Sequence, residues 1–202
     1  MKTERQWIER LEARLERRCC AATFEFEEDN GTATGAPAKG TTRTAARTEC
    51  NYKNIDDSTT AYTSNPITAG NNSYQKPQFG HFSGTFNQIL SGLWAHTAGA
   101  LGTGLTLKTV QAVSSDGTRW LYTTPATSAD ANLSTDATSA IAIGSGVAVW
   151  FGATGPEATG KAASMSTNPC YSTFLTSQLQ TSGSAAAGDI TSITWTLQYQ
   201  EN

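Results

Sequence analysis

ITSITWTLQYQ, residues 190–200, alternates apolar and polar side chains through its second half. Ile193, Trp195, Leu197 and Tyr199 fall on one side of an extended chain, with Thr194, Thr196 and Gln198 on the other. Successive side chains of a strand point to opposite faces, so this pattern describes a strand with one face on a core and the other toward water or a partner. Its β-branched and aromatic residues are those that strands favour.

Similar runs precede it. Phe79, His81 or Phe82, and Phe86 mark one strand, in which Gly80 and Gly84 read as bulges. GLTLKTVQAV (104–113) alternates with Leu105 and Leu107 on one face, and Ser115-Asp116-Gly117 then turns the chain into TRWLYTT. Asp-Gly between two such runs is a hairpin signal. AIAIGSGVAVWFG (140–152) reads as two short apolar strands around a Gly-Ser-Gly turn. Two stretches leave the pattern. In FNQILSGLWAHTAGAL (86–101), the spacing of Ile89, Leu90, Leu93 and Trp94 predicts a short helix, weakened by Gly92 and Gly99. CYSTFLTSQLQ (170–180) fits a helix or an edge strand. Residues 76–202 are therefore expected to form a mainly β domain, a sandwich or barrel of short antiparallel strands.

The first 75 residues differ. KTERQWIERLEARLERR (2–18) is rich in helix formers, and Trp7, Ile8, Leu11 and Leu15 make a narrow apolar stripe, so residues 1–18 are expected to form an amphipathic α-helix. Residues 19–75 open with a short alternating stretch, TFEFEED, and then hold few large apolar groups among Gly, Thr, Ala, Asn and Ser. A connection this long is unusual inside a compact domain, which points to an extended or irregular arm that orders on a partner. The stripe residues together with Tyr52 and Tyr62 are the expected subunit contacts.

Charge is sparse and uneven. The 202-residue chain has a net charge of -3, and 15% of its residues are charged against roughly 25% in ordinary soluble proteins. Ten charges sit in residues 2–18, whereas the last 102 residues hold nine. A charge-poor half fits a surface covered by neighbours, and the balance predicts no nucleic-acid partner. No apolar run is long enough for a signal peptide core or a membrane span, so cytoplasmic synthesis with free thiols at Cys19, Cys20, Cys50 and Cys170 is the expectation.

Groups that carry chemistry are scattered. His81 and His96 lie in no HExxH or HxH spacing and no CxxC is present, so no metal site or cofactor is expected. GHFSG (80–84) has its serine one position late for a nucleophile elbow, and GALGTG (99–104) matches no phosphate loop. Glu25 and Glu27 share a strand face, but an acidic run there reads as a solvated edge. Trp94, Trp120, Trp150 and Trp195 sit in apolar alternating runs, which assigns them to packing before carbohydrate binding. The expected protein is not an enzyme.

In layout, the charged N-terminal helix, the polar arm and the Thr/Ser/Ala/Gly-rich β domain ending in a strong strand resemble virion structural proteins of tailed bacteriophages. The resemblance covers the whole chain and rests on architecture and composition. It implies a capsid decoration (cement) protein, with a tail-tube or fibre subunit as the alternative. The partners implied are copies of the chain and other virion subunits such as a major capsid protein, and the location is the virion. A carbohydrate-binding β domain is the rival from another class.

Overall fold

The computed structural model describes residues 21–31, 40–96, 101–111, 135–136, 147–186, 188 and 194–202. The expected helix at 1–18, with Trp7, Ile8, Leu11 and Leu15, lies outside these residues, as do the Asp116-Gly117 turn and TRWLYTT. The strands are β1 (Ala21–Asn30), β2 (Thr42–Thr44), β3 (Lys76–Thr85), β4 (Ile89–His96), β5 (Leu105–Gln111), β6 (Thr135–Asp136), β7 (Val147–Ala148), β8 (Phe151–Gly152), β9 (Cys170–Ser172), β10 (Leu175–Thr181) and β11 (Trp195–Glu201). The mainly β expectation holds, and every pairing is antiparallel. The larger sheet runs β2-β1-β3-β10-β5-β6, with β9 on β3 and β8 on β9, and the smaller runs β11-β4-β7. Neither closes into a barrel. No helix among the described residues is long and apolar enough to cross a membrane.

One aromatic layer joins the two sheets. From the larger sheet come Phe24, Phe26 and Phe82, and from the smaller Trp94, Leu197 and Tyr199. Phe26 stacks on Trp94 at 5.6 Å, and the Phe82 ring meets Tyr199 edge-on at 4.9 Å. Complete burial of a Phe is worth about 1.5–3 kcal/mol. Phe82 and Phe151 are both fully buried in this layer. The alternation of the last strand appears here as expected, with Leu197 buried in the core and Gln198 and Gln200 exposed.

Three local expectations are corrected. Residues 89–96 form strand β4 instead of a helix: their apolar spacing fits either period, and seven cross-strand partners in β11 decide it. Gly92, a helix weakener, has a use in that strand, because a Cβ there would lie 2.9 Å from the Phe151 ring. CYSTFLTSQLQ forms β9 and β10, and β10 lies between β3 and β5, away from the edge. Gly80 and Gly84 are not bulges, since β1 and β3 pair in one register from Ala21↔Thr85 to Glu28↔Gln78. At Gly80 a Cβ would sit 2.6 Å from Leu197 and 2.7 Å from Phe24, so the residue is small to let the two sheets approach.

Hydrogen bonds cross the expected boundary at residue 75. β1 lies inside the larger sheet between β2 and β3. The irregular stretch after β2 is tied to the same chain by buried polar groups. Lys76 Nζ, fully buried, donates to Glu28 Oε1 at 3.2 Å and to the Asp57 carbonyl at 2.6 Å. Lys53, also fully buried, donates to the Asp57 carboxylate and to the Thr60 carbonyl. Asn30 Nδ2 donates to Glu28 at 3.0 Å and to Asp56 at 3.1 Å. Buried charges persist when paired and hydrogen-bonded, and these are.

Candidate functional site

The face of β1 turned away from the smaller sheet carries Glu25 and Glu27. Strand alternation puts them there, because Phe24 and Phe26 face the aromatic core. The register places His81 of β3 directly opposite Glu25, with Phe79 opposite Glu27. His81 Nδ1 consequently lies 3.0 Å from Glu25 Oε1 and 2.9 Å from Glu27 Oε1. On its other side the register sets His81 against Tyr171 of β9, and the two rings stack at 4.7 Å with a 13° tilt. The stack fixes the plane of the imidazole.

Arg43 of β2 closes one end of the cluster. Its guanidinium lies over the Phe79 and Tyr171 rings at 4.9 and 5.4 Å, a cation–π arrangement. It reaches Glu157 at 3.2 Å and Glu27 at 3.7 Å. Glu27 is 5% exposed, and its Oε2 accepts no hydrogen bond. His81 Nε2 is buried and equally without a hydrogen-bond partner. The acidic run is therefore not a solvated edge: Glu27, Glu28 and Asp29 are all buried. Burial pushes the Glu27 carboxyl above its ordinary range, opposed by the charges of His81 and Arg43. Burial also raises the Tyr171 hydroxyl, helped by the charge of Glu27.

The expected contact residues Tyr52 and Tyr62 line a common groove of about 1020 Å³, together with Ile67, Leu101, Leu105 and Trp195. Tyr62 is 48% exposed. Tyr52 is committed within the chain, its hydroxyl donating to Ser177 Oγ at 2.6 Å. Neither described cysteine is a poised nucleophile. Burial pushes Cys50, beside Glu28, and Cys170 each up to about 12. Trp94 is 2% exposed and belongs to the core, so it offers no stacking platform to a sugar. Trp120 lies outside the described residues.

Among the described residues, β11 is the outermost strand of the smaller sheet. The Val149 N–H donates to the Gly92 carbonyl at 2.8 Å, so that carbonyl points toward β7 and away from β11. Gly92 and its partner Tyr199 are then a non-hydrogen-bonded pair, and the backbone groups of Tyr199 and Leu197 point outward. Among the described residues no strand pairs with β11 on that side.

Comparison with family models, with curated proteins and with solved structures returns no match to this chain.

Proposed function

We propose that the chain is a non-enzymatic structural subunit of a viral particle, a capsid decoration protein that binds copies of itself and other virion subunits. The observation that carries this reading is the outward-facing backbone of Leu197 and Tyr199 in β11, with which no further described strand pairs. An unpaired strand presents a row of N–H and C=O groups that template pairing with another chain, and free proteins blunt such edges with Lys, Pro or a cover. β11 contains no lysine and no proline, and its one charged residue, Glu201, accepts a hydrogen bond from the Ala22 N–H. The sparse charge of the C-terminal half supports the same reading. Decoration is preferred to a tail tube because the sheets stay open where a tube subunit would close a barrel. Residues 1–18, with the Trp7, Ile8, Leu11 and Leu15 stripe, supply a second contact in this proposal.

Native mass measurement of the purified full chain is the test. The wild type should form a defined oligomer. Gln198→Lys with Gln200→Lys places two charges on exposed positions of the edge strand and should shift it to monomer with unchanged far-UV circular dichroism. Removing residues 1–18 should weaken assembly while leaving β1 in its sheet. A wild type that is monomeric at the highest attainable concentration would overturn the reading, as would an oligomer unaffected by both changes.

A further inference from the structure

Nδ1 of His81 faces two carboxylate oxygens at hydrogen-bond distance but can carry only one proton. That proton cannot serve both oxygens well. Arg43, the cation at the end of the cluster, is shared between Glu27 and Glu157, at 3.7 and 3.2 Å. Glu27 is more than nine-tenths buried, and its second oxygen, Oε2, makes no hydrogen bond and has Arg43 Nε 3.7 Å away.

The arrangement has the dimensions of a ligand set. Two neighbouring ligands in an octahedral shell about 2.1 Å from an ion are themselves about 3.0 Å apart, whereas a tetrahedral shell would set them about 3.4 Å apart. The Nδ1–Oε1 separations of 2.9 and 3.0 Å match the octahedral edge. All three candidate ligand atoms lie within 4.8 Å of one another. Stacking on Tyr171 holds the ring in place, and the β1–β3 register holds the two carboxylates. The Glu25 side chain is 36% exposed, which leaves a side open for entry and for water ligands.

We propose that Glu25, Glu27 and His81 bind one divalent first-row transition ion through Oε1, Oε1 and Nδ1, stapling β1 to β3. One imidazole with two carboxylates in a six-coordinate shell suits manganese or cobalt before zinc, and an ion bound to the folded chain alone stabilises it by mass action.

The experiment uses full-length protein stripped with a chelator and dialysed. Cobalt is titrated by visible absorption, and zinc and manganese by calorimetry. The expected result is saturable uptake of one ion per chain, with a higher Tm and no thiolate-to-cobalt charge-transfer band. Glu25→Gln, at a partly exposed position, should keep the fold and weaken uptake by roughly tenfold or more, the loss that even an outer-shell change brings. His81→Gln should abolish it. Absence of saturable uptake would overturn the proposal. So would uptake unchanged in folded Glu25→Gln protein, or a cobalt spectrum dominated by thiolate ligation.

Discussion

β1 delivers acidic side chains to both of its faces, and the two faces treat them oppositely. On the core side, Glu28 is fully buried and meets Lys76 at 3.2 Å, Gln78 Nε2 at 3.3 Å and Asn30 Nδ2 at 3.0 Å. Its neighbours Lys53 and Asp57 pair in turn. On the far side, Glu25 and Glu27 share one histidine nitrogen, and an oxygen of Glu27 and Nε2 of His81 go without hydrogen bonds. In the first cluster each lysine has a carboxylate partner and Glu28 has three convergent donors, although Asn30 Oδ1 makes no hydrogen bond. In the second, two carboxylates converge on a single imidazole nitrogen. A polar cluster with its charges paired holds a fold together, whereas one in which carboxylates share a donor has room for a ligand.

The largest effect should come from breaking the first cluster. Lys76→Met leaves the Glu28 carboxylate in a fully buried site without its cation, which is expected to cost about 3–5 kcal/mol in urea unfolding. Adding Glu28→Met should recover much of that loss, because the pair is coupled and the two costs do not add. A single-variant cost near zero would show that water reaches Glu28 and that the contrast between the faces is false.

Asp57→Asn should cost less, about 1–3 kcal/mol, by removing the carboxylate from fully buried Lys53 and from the Thr60 hydroxyl. The Asp57 side chain is 35% exposed, so screening places the effect toward the lower end. Burial would raise this carboxyl, but the bonds from Lys53 and from the Thr60 hydroxyl and N–H outweigh it and hold the group well below the usual carboxylate range. Its contribution is therefore full above about pH 3.9 and is lost as pH falls toward the folded-state value. Acid unfolding curves should show a shallower acid limb in Asp57→Asn than in the wild type.

The contrast also marks what the sequence could disclose. A period of two revealed that Glu25 and Glu27 share a face, that Leu105 and Leu107 do, and that Leu197 packs inward. The partner His81 was out of reach, because it meets Glu25 through a strand pairing across 56 positions in the chain. No local spacing encodes such a register. Residues 19–75 read as an extended or irregular arm because most of them lack large apolar groups; within that stretch, Tyr52, Lys53, Asp56 and Asp57 hydrogen-bond to the same chain. Hydrophobic patterning does not register buried ion pairs. The helix expected at 86–101 gives way to β4 for a related reason: Ile89, Leu90, Leu93 and Trp94 satisfy a helical spacing, and pairing with β11 and β7 overrides it.

The smallest effect, and the one most specific to the second cluster, is a change of sign at Glu27. Burial raises its carboxyl above the ordinary value, so protonation favours the folded chain. Its contribution to stability is complete below the unfolded value of about 4.3 and is lost as pH rises through the folded value. Glu27→Gln mimics the protonated form. In chelator at neutral pH it should raise stability by about 0.5–1 kcal/mol, with the gap to the wild type closing as pH is lowered toward 4.3. Urea midpoints measured across that range would check it. Supplying the divalent ion should reverse the order, because only the wild type keeps both carboxylates on His81. If Glu27→Gln were destabilising in chelator, the His81 and Arg43 charges would already satisfy Glu27, and the far face would be as well satisfied as the core side.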